Sequence, residues 1–325
     1  RGAVQSLNAL GVVDALCFGS EAGEVGPLQD AARLLLEHAD DIDAGTRQLL
    51  RSGFSYPAAR AEVLSAMEPE VSAALVSSPN NILGIEYLKA LLETSSPIEA
   101  FTILRRGAGY HSTDVTSPIA SATGIRKRLS EGGSVGEFVP EACRHILSQA
   151  LDRGRSLDHD RLFSSLQTFL LQEMETLSGI YQVEDGLAQR LVDAAMTATS
   201  YADLTDAIKS RQWTLTRIQR ILSYVLLQVS SVEMNSFLEC GPLYLRLLGA
   251  TEKGRQVLAD SRKKRSLPVI SDPARAQAVL RRFYSGRKDL GCLAESMLTC
   301  DLRATRLYGL LQQKPALGHR NQDFF

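Results

Sequence analysis

The alternation of short apolar strands with amphipathic helices in the first part of the chain constrains the possible folds most strongly. Residues 12–21 (VVDALCFGSE) and 97–106 (PIEAFTILRR) predict buried strands, the first of which breaks at Gly19. Apolar side chains recur at helical spacing in the intervening residues 26–40 and 79–93. Strands separated by helices indicate an α/β unit with a parallel sheet, which binds ligands beyond the carboxyl ends of its strands.

From about residue 134 the pattern is almost entirely helical. Amphipathic segments follow one another with short loops, and residues 241–249 and 265–271 predict two short strands. We therefore predict two domains, an α/β domain over residues 1–133 and a mainly α-helical domain over residues 134–325.

The composition excludes several classes of protein. With 44% hydrophobic and 22% charged residues, the 325-residue chain has the composition of a soluble globular protein. No apolar run reaches the roughly 18 residues that a membrane-spanning helix needs, so a membrane is not expected as a partner. The first residues also lack the apolar core of a signal peptide. Five scattered cysteines form no CxxC or Cys/His cluster, which predicts a cytoplasmic location and no metal site.

The charge of the chain is divided unevenly. Residues 209–288 contain 16 Lys or Arg against 5 Asp or Glu, a local charge of +11, so the remainder carries −12. This basic segment predicts contact with a polyanion, although a solvated cationic face explains the composition equally well. The candidate polyanion-binding residues are four cations near Trp213 and one continuous run: Lys209, Arg211, Arg217, Arg220, Arg262, Lys263, Lys264 and Arg265.

Three residues are placed for ligand binding at the predicted edge of the sheet. Asn80 follows Pro79 at a helix start, where its carboxamide either caps the helix or contacts a base or ribose edge. Arg105 ends the second strand before the glycines of GAGY, a position that suits a phosphate, although a salt bridge at the rim is equally compatible. Gly19 would let a ligand lie against the backbone of the first strand.

The segment SATGIR places hydroxyl groups and a cation at the start of another predicted helix. Ser121 and Thr123 lie in its first turn, and Arg126 follows one turn later. Hydroxyls and free N–H groups at a helix N-terminus can form an anion site, while the simpler alternative is a serine that only caps the helix.

Together these motifs resemble those of the bacterial tRNA(Met) cytidine acetate ligases, which belong to the HIGH-motif nucleotidyltransferase superfamily. The resemblance rests on DALCFGSEAGE, SSPNNILGIEYLKAL, TILRRGAGYH and IASATGIRKRL, and it continues through WTLTRIQRILSYVLL over nearly the whole chain. It implies the α/β fold class, with part of a Rossmann-like nucleotidyltransferase domain followed by a mainly α-helical C-terminal domain that binds tRNA.

The resemblance also implies a reaction and its ligands. Members of the family use ATP, with Mg²⁺, to convert acetate to acetyl-adenylate, and then acetylate N4 of the wobble cytidine of elongator tRNA(Met). The expected partner is thus a tRNA rather than DNA or a membrane, and no catalytic side chain is identified. By matching motifs, the implied ATP-binding residues are Gly19, Asn80 and Arg105, with Ser121, Thr123 and Arg126 as the second phosphate signature.

The sequence departs from the family pattern at one place. Family members begin with a strand and an HxGH-type signature that binds the ATP phosphates, and no HxGH occurs here. We therefore expect the motifs to form the second half of an adenylate-forming pocket beside an open sheet edge, and the chain by itself to be inactive. Two alternatives stay open. A non-catalytic tRNA-binding remnant fits the missing signature, and a different nucleotidyltransferase fits the pocket but leaves the basic helical region without a role.

Overall fold

The computed structural model describes residues 1–54, 56–68, 73–105, 120–172, 176–184, 186–210 and 213–315. The chain divides into two compact units, called here the first and the second unit. The first consists of Arg1–Glu141 with Thr251–Leu267, and the second of Ala142–Ala250 with Pro268–Phe325. Within the described part of the chain, no helix is long and apolar enough to cross a membrane.

The first unit contains a parallel two-stranded sheet, as the alternation of strands and helices predicts. Strand β1 (Ala15–Ser20) pairs with β2 (Glu99–Leu104) in register, so that each residue of β1 lies opposite the corresponding residue of β2. The helices before the second unit are α1 (Gly2–Leu10), α2 (Val25–Glu37), α3 (Ala39–Arg51), α4 (Tyr56–Met67), α5 (Ala73–Ser77), α6 (Pro79–Glu93) and α7 (Ala122–Ser130).

One face of this sheet is covered and the other is open. Leu16 and Phe18 of β1 pack against the core of the first unit, in which Leu28 and Ile85 are buried. Because side chains alternate between the two faces of a strand, Phe101 and Ile103 of β2 point to the opposite face, where they are 49% and 65% exposed. Among the described residues no third strand pairs with β1 or β2, so the expected open edge is present.

The second unit is almost entirely helical, which confirms the predicted change of character. Its core contains leucines of adjoining helices, of which Leu166, Leu170, Leu191 and Leu222 are at most 1% exposed. The helices that follow α7 are α8 (Glu141–Asp152), α9 (His159–Gln172), α10 (Leu187–Thr197), α11 (Tyr201–Ile208), α12 (Leu215–Leu227), α13 (Ser231–Cys240), α14 (Glu252–Ser261, in the first unit), α15 (Ala276–Phe283) and α16 (Lys288–Leu310).

Both predicted short strands are also found in the second unit. They are β3 (Leu245–Arg246) and β4 (Val269–Ile270), which pair in parallel. The Leu245 N–H donates to the carbonyl of Pro268 over 2.9 Å, which extends this pairing by one residue. The two segments that flank α14 are thereby joined in the second unit, while α14 itself belongs to the first.

The division into units differs from the predicted domains in two respects. The first unit continues to Glu141 instead of ending at residue 133, and it includes residues 251–267. The basic run 262–265 therefore belongs to the same unit as the predicted nucleotide-binding residues and not to the helical unit.

A contact with the C-terminal end of α1 holds the basic run in the first unit. The Ser266 N–H donates to the Ala9 carbonyl over 2.9 Å. Lys264 packs so closely on Gly11 that a Cβ at this glycine would lie 2.9 Å from Lys264 Cβ. Such a contact joins residues far apart in sequence, so hydrophobic periodicity carries no signal for it.

One local expectation is wrong, and one of the two alternatives for Asn80 is excluded. Strand β1 does not break at Gly19, because Gly19 stays paired with Ile103 and the strand continues for one more residue. Asn80 is not the N-cap of its helix, because α6 begins at Pro79 and the residue in the N-cap position is Ser78. Proline is favoured in the first helical position, since its missing N–H would have no partner within the helix.

Candidate functional site

The carboxyl ends of both strands and the start of α6 meet at one corner of the first unit. The N–H of Arg105, directly after β2, donates to the carbonyl of Ser20 at the end of β1 over 2.9 Å. Residues 21 and 22, which follow β1, are hydrogen-bonded to the first turn of α6. This is the edge at which open α/β sheets bind ligands, and the structure places Gly19, Asn80 and Arg105 there.

Reciprocal hydrogen bonds join the loop after β1 to the first turn of α6. The side-chain oxygen of buried Asn81 accepts from the N–H groups of Glu21 and Ala22 over 2.9 and 3.0 Å. In return, the Glu21 carboxylate accepts from the N–H groups of Asn81 and Asn80 over 2.9 and 3.4 Å. Because the Ser78 side chain makes no capping hydrogen bond, this carboxylate supplies the negative charge favoured at a helix N-terminus.

Asn80 links Glu21 to Arg105. Its side-chain nitrogen donates to Glu21 Oε1 over 2.6 Å, and its Oδ1 accepts from Arg105 Nη1 over 3.2 Å. Among the described residues, Asn80 is the only hydrogen-bond partner of the Arg105 guanidinium, whose other donors have no partner within the described ranges.

The Glu21 carboxylate is held in its ionised form. Burial acts to raise the pKa of Glu21, but hydrogen bonds from the Asn80 side chain and from the N–H groups of Asn81 and Asn80 outweigh it, and the pKa is lowered. At neutral pH this side chain is therefore an anion that only accepts hydrogen bonds.

Two hydroxyl groups support the corner at the ends of the strands. Ser20, which is fully buried, accepts from the Gly23 N–H over 2.9 Å and so fixes the loop after β1. Thr102 of β2 donates to the Phe18 carbonyl over 3.0 Å, and its hydroxyl lies 2.7 Å from that of Ser20. These contacts hold the two strand ends in place beneath the polar residues.

A cavity of about 360 Å³ opens beside the corner. Gly19, Asn80 and Arg105 lie in its wall, together with apolar and aromatic side chains that include Phe18 and Tyr87. A side chain at position 19 would come within 3.2 Å of Arg105 Cγ, so the glycine allows the arginine to approach the backbone closely. The volume lies within the range of small-molecule sites, roughly 300–1,000 Å³.

The chemistry of this corner suits a phosphate. A guanidinium presents planar donors that match phosphate oxygens, and Arg105 has donors to spare. The N-terminus of α6 is already occupied by the Glu21 carboxylate, so Arg105, and not the helix terminus, is the group of this corner whose chemistry suits an anion. Within the described ranges no group of three or more His, Cys, Asp or Glu could hold a metal ion.

The residues of the SATGIR motif lie elsewhere in the first unit. Ser121 is the N-cap of α7, and its hydroxyl accepts from the Gly124 N–H over 3.0 Å. Thr123 and Arg126 are exposed. None of the three is among the residues that line the cavity, so the structure brings together Gly19, Asn80 and Arg105 only. The GAGYH motif lies in 106–119, outside the described residues.

The predicted tRNA-binding cations of the second unit differ in their surroundings. Lys209 and Arg220 are exposed, whereas Arg217 forms a salt bridge of 2.5 Å with Glu184. Arg211 lies outside the described residues. Trp213 is 8% exposed and belongs to the core, so it is not a platform on which a nucleobase could stack.

The basic run of the first unit lies at the surface. Arg262, Lys263 and Lys264 are exposed, and Arg265 is half-buried. None of the four forms a salt bridge with any residue of the described ranges, in contrast to Arg217.

Sequence reasoning missed Glu21 and the buried role of Asn81, although each carried a signal. Asn81 lies at helical spacing with Ile85 and Leu88 on the buried face of α6, and a polar residue in such a position requires a hydrogen-bond partner. Glu21 directly follows the first strand at the ligand-binding edge. The pairing of the two residues, which are 60 positions apart, could not be deduced from the sequence.

Comparison with known proteins identifies the family. The family model described as HIGH Nucleotidyl Transferase matches residues 1–323. A tRNA(Met) cytidine acetate ligase of Syntrophotalea carbinolica is 46% identical over 328 residues, which cover 100% of this chain and 78% of that relative. A ligase of the same name from Alkaliphilus metalliredigens is 34% identical over 340 residues, with 99% and 78% covered.

Two solved structures share the fold. Apo Thermotoga maritima TmcAL matches with a TM-score of 0.86 and 31% identity, over 98% of this chain and 78% of that one. Thermotoga maritima TmcAL bound with alpha-thio ATP matches with a TM-score of 0.83 and 31% identity, over 97% and 75%. These matches confirm both the fold class and the resemblance. The chain therefore belongs to the HIGH nucleotidyl transferases, and among them to the tRNA(Met) cytidine acetate ligase family.

Proposed function

We propose that this protein uses ATP to join acetate to the wobble cytidine of elongator tRNA(Met), and that Gly19, Asn80 and Arg105 bind the ATP. The observation that carries the proposal is the Arg105 guanidinium, which is anchored by Asn80 at the carboxyl edge of the sheet and keeps donors for a phosphate. Relatives that cover the whole chain carry the corresponding name, and the similar Thermotoga protein is described as bound with alpha-thio ATP.

The first chemical step forms acetyl-adenylate. An acetate oxygen attacks the α-phosphorus of ATP, and the bond between that phosphorus and the bridging oxygen breaks to release pyrophosphate. Acetate is already an anion at neutral pH, so the step needs no side-chain base. Arg105 stabilises the negative charge on the phosphate oxygens in the transition state. Magnesium, which the resemblance implies, would be held by the ATP phosphates and would neutralise part of their charge.

The second step transfers the acetyl group to the tRNA. The exocyclic amine of the cytidine attacks the acetyl carbonyl, the bond to AMP breaks, and the amine loses a proton. The base must leave its stack in the anticodon loop to reach the site, at a cost of a few kcal/mol. We assign contacts with the tRNA phosphates to the exposed cations of each unit: Lys209 and Arg220 in the second, and Arg262, Lys263 and Lys264 in the first. A tRNA substrate also supports a cytoplasmic location.

The role of α7 in this proposal is a second phosphate contact. Thr123 and Arg126 are exposed and therefore accessible to a ligand, and the Ser121 hydroxyl caps the helix that carries them. The α-helix N-terminus adds free N–H groups and a positive dipole end. This assignment rests on the match of the SATGIR motif to the family signature.

Three measurements test this function, each made with a protein that also carries the HxGH-type signature absent from this sequence. We expect ATP to bind in calorimetry, tRNA(Met) to bind in a filter assay, and N4-acetylcytidine to form when ATP, acetate and tRNA(Met) are combined. A control without ATP should give no acetylcytidine. Binding of tRNA without ATP binding would favour the non-catalytic remnant, and ATP binding without tRNA binding would favour a different nucleotidyltransferase. Either result would contradict the proposal.

A further inference from the structure

We propose that Glu21 is a positioning residue that fixes the amide orientation of Asn80 and thereby holds the Arg105 guanidinium for the nucleotide. The inference rests on the proposed function, because it assigns a task to Glu21 within the same ATP site. Glu21 was not among the residues implied by the family motifs, and it does not line the cavity.

The hydrogen bonds of Asn80 fix the direction in which its amide must point. A carboxamide has a donor end and an acceptor end, whereas a carboxylate accepts only and a guanidinium donates only. Asn80 lies between Glu21, at 2.6 Å from its nitrogen, and Arg105, at 3.2 Å from its oxygen. With Glu21 ionised, the nitrogen of Asn80 must face Glu21, and the oxygen is left to face Arg105.

A neutral amide at position 21 no longer enforces this selection, because it can present either its oxygen or its nitrogen to Asn80. A rotated Asn80 would present its nitrogen to the guanidinium, so that two donors would face each other and Arg105 would lose its anchor. The α6 main chain does not replace Glu21 in this task, because it contributes only N–H groups at this end of the helix. Glu21 thus acts on Arg105 through Asn80.

The direction in which Glu21→Gln changes the affinity for ATP distinguishes a positioning role of Glu21 from a purely electrostatic one. Glu21 is an anion close to the proposed phosphate site, so its charge alone opposes ATP binding. If Glu21 had only this electrostatic effect, Glu21→Gln would bind ATP more tightly than the unmodified protein. If Glu21 positions Asn80, the same substitution weakens ATP binding, and we expect a loss of about tenfold because one charge-assisted network is disrupted.

The test is the dissociation constant of ATP, measured by calorimetry for Glu21→Gln, Asn80→Ala and the double variant. Since Glu21 acts through Asn80, the double variant should bind ATP no more weakly than Asn80→Ala alone. Additive losses, or unchanged or tighter binding in Glu21→Gln, would overturn the inference. An unchanged affinity in Asn80→Ala would overturn the proposed ATP site itself, so the two failures can be told apart.

An exchange of the two side-chain types gives a test that does not depend on loss of binding. Asn80→Asp alone places two carboxylates side by side and should weaken ATP binding. In the variant that combines Glu21→Gln with Asn80→Asp, the new amide nitrogen at position 21 can donate to the carboxylate at position 80, whose other oxygen accepts from Arg105. This pair should recover affinity relative to Asn80→Asp, and failure to recover it would contradict the inference.

A matched control removes a helix cap in the same unit at a distance from the site. Thr251 caps α14, and its hydroxyl accepts from the Gly254 N–H over 3.2 Å. Thr251→Ala should lower the thermal midpoint without changing the affinity for ATP. If it weakened ATP binding as much as Glu21→Gln does, the effect of Glu21 would be explained by helix capping alone and the inference would be wrong.

Discussion

Substitution of Gly84 by alanine tests whether the close packing of α6 on β1 is as the structure has it. A Cβ built on Gly84 would lie 2.5 Å from Cε2, 3.1 Å from Cδ2 and 3.3 Å from Cζ of Phe18. Carbon atoms in favourable contact are about 3.5–4.0 Å apart, so the ring or the helix must move by roughly 1 Å. Because α6 carries Asn80 and Asn81, this packing also positions the proposed site.

The magnitude follows from two opposing effects. Overpacking of a core costs typically about 1–3 kcal/mol, while replacing a helical glycine by alanine gains about 0.5–1 kcal/mol. We therefore expect Gly84→Ala to destabilise the first unit by about 0.5–2 kcal/mol. Gly2 in α1 is a matched control, since a Cβ there would meet no atom within 4 Å beyond its chain neighbours. Gly2→Ala should leave stability unchanged or raise it.

The assay must report on the first unit. The single tryptophan, Trp213, lies in the second unit, so its fluorescence does not serve. Amide hydrogen exchange of peptides from α6 measures the opening of this helix directly. A loss of about 1.4 kcal/mol would accelerate exchange about tenfold in Gly84→Ala. Exchange as slow as in the unmodified protein, or equal changes in Gly84→Ala and Gly2→Ala, would refute the reasoning.

Three further predictions concern the rest of the molecule. A variant with alanine in place of Arg262, Lys263, Lys264 and Arg265 should bind tRNA more weakly in a filter assay. The slope of log affinity against log salt concentration should become shallower by about 0.7–0.9 for each phosphate contact that is lost. An unchanged slope would show that the run is only a solvated surface. Leu170 is fully buried, so Leu170→Ala should destabilise the second unit by about 2–5 kcal/mol. Denaturant titrations followed by Trp213 fluorescence measure this change, and a destabilisation below about 1 kcal/mol would contradict the core assignment. The hydrogen bond and charge of Arg281 lower the pKa of Glu295 below its ordinary 4.5. The stabilisation of the folded protein by the Arg281–Glu295 pair should therefore be present above pH 4.5 and be lost as the pH falls. The melting-temperature difference between the unmodified protein and Glu295→Gln should accordingly vanish in acid, and a difference independent of pH would count against the pair.

The sequence predicted the elements of the fold well because their signals are local. The parallel sheet, the helical second part and both short strands near Leu245 and Val269 follow from hydrophobic period and length. The placement of residues 251–267 was not predictable, since it depends on the contact between Ser266 and Ala9. A contact between such distant segments depends on the tertiary structure and produces no periodic pattern in the sequence.

The candidate site was predicted in part for a similar reason. Asn80 and Arg105 were identified from their positions at the ends of elements, and they do meet in the structure. The capping role that was one alternative for Asn80 is excluded, because the start of α6 is capped by Glu21 from a distant segment. A carboxylate that caps a helix from another part of the chain resembles any surface glutamate in the sequence.

The most direct test of the proposed site is the affinity for ATP of the unmodified protein and of Arg105→Ala, measured by calorimetry. Charge-assisted hydrogen bonds to phosphate contribute roughly 1.5–3 kcal/mol, so Arg105→Ala should bind ATP about ten- to a hundredfold more weakly. The guanidinium has one hydrogen bond to a described side chain, so the thermal midpoint should change little. Unchanged ATP affinity in Arg105→Ala would contradict the account.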